Sequence, residues 1–199
     1  LLDKLSAVTG ITVTKTVQDG DENNPVWSVS IGSQTLVNGG NYNQLECTAS
    51  TSDPGMFVLK WQETGDAFAA NGGSLGSQLE LRDGTGTGGT YQGVPYYQEQ
   101  LNNFARTFAQ NFNAQHKTGY GSDGTTNTNF FTYNSMTSVA FDADAYSNLT
   151  AANISVSSDI KGNVSKIAAA TSNPTTSSGE SDNNNAKALA DLLQSTNCM

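Results

Sequence analysis

Tyr97, Leu101, Phe104, Phe108 and Phe112 recur at intervals of three or four residues, a spacing that lines all five side chains along one face of an α-helix. A strand would divide them between two faces, so a long helix over about residues 94–118 is the regular element that gathers this apolar surface. Pro95 stands near the first turn, where its missing N–H costs nothing, and Gly119 follows the periodic stretch. Gln98, Gln100, Asn102, Asn103, Arg106, Gln110 and Asn111 fall mostly on other faces. The stripe reads first as packing within the chain. Its functional reading is one seam of a bundle, completed by helices outside these residues or by neighbouring subunits. Both readings point to structure and away from chemistry.

Upstream the period is different. Leu1, Leu2 and Leu5 have helical spacing and read as the end of a truncated helix over residues 1–9, with Gly10 as its stop. From Ile11 the apolar residues alternate, through Val13 and again through Trp27, Val29 and Ile31, which is the strand signature. Asp19-Gly20 and Asn23-Asn24-Pro25 break the chain between these runs. Gly32-Ser33 then separates Ile31 from Gln34-Thr35-Leu36-Val37, and a two-residue Gly-X loop favours a tight hairpin because glycine accepts the positive φ that strand twist demands. A further strand pair is expected from Gln44 to Ala49 and from Met56 to Trp61, joined at Asp53-Pro54-Gly55. Residues 10–65 therefore read as an antiparallel β-meander subdomain.

Residues 72–199 read as a helical and mixed portion, so the fold class is α+β: the meander plus a helical bundle-like part. Ser74 is a candidate N-cap for a short helix bearing Leu75, Leu79 and Leu81, interrupted by the glycine run from Gly84 to Gly89. Beyond the long helix, Phe130-Phe131-Thr132-Tyr133 suggests an ordered loop pinned by aromatics. Ile167 leads into a possible helical turn over Ala168-Ala169-Ala170. Thr171 to Ser181 reads as a mobile Ser/Thr linker, and Asn183 to Asn185 can cap a C-terminal helix over about 184–196.

Composition narrows the function classes. The net charge of −9 provides no basic stripe to neutralise phosphates, which argues against nucleic acid and against anionic membrane surfaces. No apolar run approaches the ~20 residues of a membrane span. Only 14% of residues are charged, while Asn, Thr, Ser, Gly and Gln fill the polar positions, a balance that looks extracellular or filament-like. The start lacks the pattern of a signal peptide, so either a leader has been removed or export uses another route. Cys47 and Cys198 are too few for a disulfide framework or a zinc site and read as two ordinary thiols.

Candidate chemistry is sparse. His116, the one histidine, lies at the end of the long helix, where a polar or positive side chain suits the macrodipole; a metal site built on it lacks a second histidine. Asp19-Gly20-Asp21-Glu22-Asn23 begins like a calcium loop but has Asn24 and Ser30 where glycine and glutamate are required, so it reads as an acidic hairpin tip. Gly84, Gly86 and Gly89 match the dinucleotide-binding spacing but follow a helical pattern, which favours a flexible turn. Glu46, Glu63 and Asp66 offer carboxylates from which no hydrolytic pair stands out. No catalytic, cofactor-binding or metal residue is expected; the residues singled out are the packing stripe Tyr97, Leu101, Phe104, Phe108 and Phe112.

Several short motifs, in a shared order, resemble the flagellar hook-associated protein 1 family, called FlgK. They are Leu1-Leu2-Asp3-Lys4-Leu5-Ser6; Gln34-Thr35-Leu36-Val37-Asn38-Gly39; Gly72-Gly73-Ser74-Leu75 through Arg82-Asp83; Leu101 to Gly119 followed by Phe130-Phe131; and Ala152-Asn153-Ile154-Ser155-Val156 through Leu192. The resemblance implies a structural, non-enzymatic role at the hook–filament junction of the bacterial flagellum, with type III export and an extracellular location. It implies contacts with hook protein, with the second junction protein and with copies of itself in an axial ring. It also implies that the polymerising terminal helices lie outside residues 1–199, so that this piece alone is monomeric. The Gly84–Gly89 run and both cysteines depart from the family pattern. The rival readings are a secreted carbohydrate-binding or adhesive β module, given Trp27, Trp61, Tyr96 and Tyr97 as exposed aromatics, and a secreted hydrolase.

Overall fold

A computed structural model describes residues 1–17, 24–51, 55–176 and 182–192. The acidic tip at Asp19 to Asn23, most of the turn at Asp53-Pro54, the end of the Ser/Thr linker, Cys198 and the last residues of the C-terminal helix lie outside these described residues. The chain is α+β, with helices and antiparallel sheets, and divides into two compact units, Leu1–Pro95 and Tyr96–Met199.

In the first unit, α1 (Leu2–Val8) ends at an extended Thr9 cap, one residue before the Gly10 stop suggested by its sequence. β1 (Thr12–Val17), β2 (Pro25–Ile31), β3 (Gln34–Asn38) and β4 (Asn41–Tyr42) form one antiparallel sheet in consecutive order. Gly32 takes a φ of +58° and Ile31 pairs with Gln34, which makes the β2–β3 connection the two-residue hairpin that Gly32-Ser33 predicts. β5 (Leu45–Ala49) and β6 (Phe57–Trp61) form a separate two-stranded sheet. The single meander is therefore two sheets. The chain changes partner at Asn43 and Gln44: Asn43 bonds back to Leu36 and Thr35, while the Gln44 carbonyl accepts from Gln62.

Paired residues of an antiparallel ladder share a face, so Leu45, Cys47, Ala49, Phe57, Leu59 and Trp61 all project to one side of the β5–β6 ribbon. Only one end of that side is covered. Trp61, read above as exposed, is buried with Ile31 and Phe68, its ring 5.9 Å from that of Phe68; Phe57 at the other end is exposed. α2 (Gly73–Asp83) lays Leu75 and Leu79 on this core and leaves Leu81 in solvent. It starts at Gly73 with Gly72 as cap, not at the Ser74 cap, because the helix start abuts the end of α1: a Cβ at Gly73 would stand 2.7 Å from the Thr9 nitrogen. The glycine run follows α2, with no strand before it, and the chain folds back so that Gly93 N–H bonds to the Gly84 carbonyl at 2.9 Å.

The second unit is organised on α3 (Val94–Thr118), whose residues from Tyr96 onward belong to it. β7 (Phe131–Tyr133) pairs antiparallel with β8 (Ile154–Val156), so the aromatic segment expected as a loop is a short strand. α4 (Ser158–Gly162) carries a hydroxyl cap from Ser157. Ala168 to Ala170 do not make a helical turn; Ala169 N–H bonds back to the Ile167 carbonyl, and Ala170 exchanges two backbone bonds with Tyr120 in an isolated β-bridge. α5 (Asn184–Leu192) ends the described chain. Thr171 and Ser172, at the start of the presumed linker, are held through backbone N–H and hydroxyl by the Asp182 carboxylate, which these bonds drive far below the usual carboxylate range. The apolar core consists of Ala105, Ala109, Phe141, Ala145 and Leu149, with Phe131, Tyr133, Tyr146 and Ile154 around it.

Candidate assembly surface

α3 presents two neighbouring faces that do different work. Its buried face is Ala105, Ala109, Asn113 and His116, at intervals of four, four and three. The two alanines let Phe141 and Leu149 approach the helix backbone. The aromatic stripe runs beside this line, so it occupies the rim of the contact and not its centre.

Along that rim the five stripe residues divide. Phe108 and Phe112 are half-buried, with ring centroids 5.3 and 5.0 Å from Phe131, and Phe112 stands 5.1 Å from Phe130. Tyr97, Leu101 and Phe104 remain 57%, 58% and 50% exposed. Phe104 nevertheless stacks on Phe108 at 6.2 Å, so the exposed ridge continues without a gap into the packed one. Arg106 steadies the edge of this surface: its guanidinium donates to the Leu149 carbonyl, to Glu99 and to Asn103, at 3.0, 2.9 and 2.9 Å. The exposed ridge is thus apolar surface on a helix that is anchored along the adjacent face.

Beneath the ridge lie polar groups that sequence reading passed over. Asn113 is fully buried and its Oδ1 accepts from the Phe130 and Phe131 N–H groups, both at 2.8 Å. Its Nδ2 donates to the Phe131 carbonyl and to the Tyr146 hydroxyl. Asn185 of α5, also fully buried, accepts from Gln115 and donates to the Ala168 carbonyl. The signal for Asn113 was present: it continues the four-residue spacing of Ala105 and Ala109 on the face that small residues mark.

His116 lies in the last turn of α3, as its position in the sequence suggests, and is completely buried. Nδ1 donates to the Thr128 carbonyl at 2.7 Å and Nε2 accepts from the Ala168 N–H at 3.0 Å, so the ring is neutral with its proton on Nδ1. Burial lowers its pKa, opposed by the bond to Thr128. Tyr146 is pushed the other way, above the ordinary phenol range, by burial and against the effect of its bond to Asn113. Among the described residues no three His, Cys, Asp or Glu side chains gather as a metal site, and no helix is long and apolar enough to cross a membrane. Cys47 is an exposed free thiol.

Comparison with known proteins adds to this geometry. A family model described as the flagellar hook-associated protein FlgK helical domain matches residues 1–131. Flagellar hook-associated protein 1 of Salmonella typhimurium strain LT2 is 30% identical over 141 residues, covering 68% of this chain and 23% of that protein. The Escherichia coli K12 protein of the same name is 29% identical over 138 residues, covering 66% and 23%. Among solved structures, the flagellar hook junction protein FlgK from Burkholderia pseudomallei aligns with a TM-score of 0.50 at 26% identity, over 67% of this chain and 24% of that one. The chain thus spans about a quarter of the length of these relatives.

Proposed function

The chain belongs to the flagellar hook-associated protein FlgK family, and on that premise we propose that it is an architectural part of the bacterial flagellum at the hook–filament junction, acting through packing and not through catalysis. The observation that carries this reading is the ridge Tyr97, Leu101 and Phe104, exposed yet continuous with the packed rings of Phe108 and Phe112. Its three-and-four spacing is the seam that a second helix fills in a coiled-coil or bundle contact. The helix that covers it comes from outside residues 1–199 or from a neighbouring subunit. Hook protein, the second junction protein and further copies of the same protein are the proposed partners, and the outside of the cell is the proposed location. The protein's histidine supports a non-catalytic reading, because both of its ring nitrogens are already bonded to backbone in a closed interior.

The test replaces Leu101 and Phe104 by aspartate in the full-length protein and follows swimming through soft agar, with circular dichroism of residues 1–199 as the control for folding. Lost swimming with an unchanged spectrum is the expected result. Full motility of the folded double variant would remove the ridge from the assembly surface.

A further inference from the structure

We infer that His116 is an acid-sensitive latch that holds the Ala168–Ala170 segment onto α3, and that its protonation loosens that segment before the rest of the second unit unfolds. Three parts of the chain meet at this ring. α3 carries it, the Thr128 carbonyl accepts from Nδ1, and the Ala168 N–H donates to Nε2. The bond to Ala168 exists only while Nε2 has a free lone pair. A proton on Nε2 places two donors face to face at 3.0 Å and leaves the Ala168 N–H without its acceptor.

Two features favour that proton, the Thr128 carbonyl and the C-terminal end of α3, and burial outweighs them. The rings against the imidazole are Phe112 and Phe130, with centroids 6.4 and 5.4 Å away. From the 128–131 segment, Thr128 and Phe130 face it, and from the next segment Ala168; none of these ionises. The acidic groups of the adjoining segments are engaged elsewhere: Asp123 accepts from Thr125 N–H, Asp159 pairs with Lys166, and Asp182 holds Thr171 and Ser172.

The release is local because of what else holds this segment. Besides the ring, Ala168 to Ala170 are tied to Tyr120, Asn185 and Ala186, and Asn185 is itself bonded to Gln115 of α3. The β7–β8 ladder and the Asn113 bonds do not pass through the ring. The folded-state pKa lies below histidine's ordinary value of 6.5, so the latch is fully engaged above that pH and is lost as pH falls toward the lowered value.

Amide hydrogen exchange of residues 1–199 between pH 7.5 and 5, corrected for intrinsic rates, tests the inference alongside a ring-nitrogen NMR titration of His116. Protection at Ala168, Ala170 and Ala186 should fall by about tenfold per pH unit below the free-histidine range while the Thr132 and Ser155 region keeps its protection. The NMR titration should show a single Nδ1–H tautomer at neutral pH and protonation below that of a free histidine. Unchanged protection at Ala168, equal loss across β7 and β8, or a ring that titrates like free histidine would each overturn the latch. Because the ridge at Tyr97 to Phe104 takes no part, this result stands or falls separately from the assembly reading.

Discussion

Asn113 pairs with Phe131 as a neighbouring strand would: its side-chain Oδ1 accepts the Phe131 N–H at 2.8 Å while its Nδ2 donates to the Phe131 carbonyl at 2.7 Å. A helix side chain thereby satisfies the free edge of a three-residue strand that has β8 on its other side. This bond pair docks the aromatic segment onto α3 and so supports the packed half of the ridge.

Asn113→Ala leaves the N–H groups of Phe130 and Phe131 without their shared acceptor in a closed interior. An unsatisfied buried group costs ~1–3 kcal/mol, and the total should be about 3–5 kcal/mol in urea unfolding. Asn113→Asp keeps the acceptor but loses the donor to Tyr146 and buries a charge, so it should be no better tolerated. A loss below about 1 kcal/mol for both variants would show that water or a backbone shift replaces the amide.

Tyr146 should be among the last of the seven tyrosines to ionise, as read by absorbance near 295 nm during an alkaline titration. Its folded pKa is raised above 10.0, so the stabilisation it contributes is complete below the unfolded value and is lost as pH rises through the folded one. Tyr146→Phe should remove the late-titrating step and flatten that part of the stability profile. A titration curve unchanged by the substitution contradicts the burial argument.

Phe108→Ala and Leu101→Ala remove side chains from one stripe but should differ in cost. Phe108 packs on Phe131 and its truncation should destabilise residues 1–199 by about 2 kcal/mol, less than a fully buried ring would. Leu101 is 58% exposed, and its truncation should stay within about 0.5 kcal/mol. Equal costs would mean that the ridge is covered within the chain itself.

Gly93→Ala and Gly88→Ala separate close approach from backbone freedom. A Cβ at Gly93 would stand 2.6 Å from the carbonyl oxygens of Glu80 and Leu81, so alanine should dislodge the turn from the end of α2 and lower the unfolding midpoint sharply. Gly88, at φ +61°, has open space around it, and alanine there should cost only the left-handed strain of ~1–2 kcal/mol. The reverse order would reject the crossing as the reason for glycine at position 93.

Features carried by neighbours in the chain were legible in the sequence. Gly32-Ser33 specifies its hairpin because turn geometry involves four residues, and the spacing from Tyr97 to Phe112 is the local mark of the helix Val94–Thr118. Other features were not. Ala168 to Ala170 have high helical propensity, yet they form no helix because Tyr120, some fifty residues earlier, offers Ala170 two backbone bonds. Likewise Phe131 to Tyr133 form a strand because Ile154 to Val156 lie opposite.

By itself the sequence determined the α+β class, the period of each element, the acidic surface and the motif order shared with the FlgK family. Only the tertiary structure decided that α3 buries alanine, asparagine and histidine while three of the five stripe residues stay in solvent, and that His116 is a neutral tie between distant segments. Periodicity records which residues share a face, but burial depends on what another part of the chain brings against that face. Phe141, Leu149 and Ala168 fit closely only where α3 carries small side chains or a polar group able to bond them.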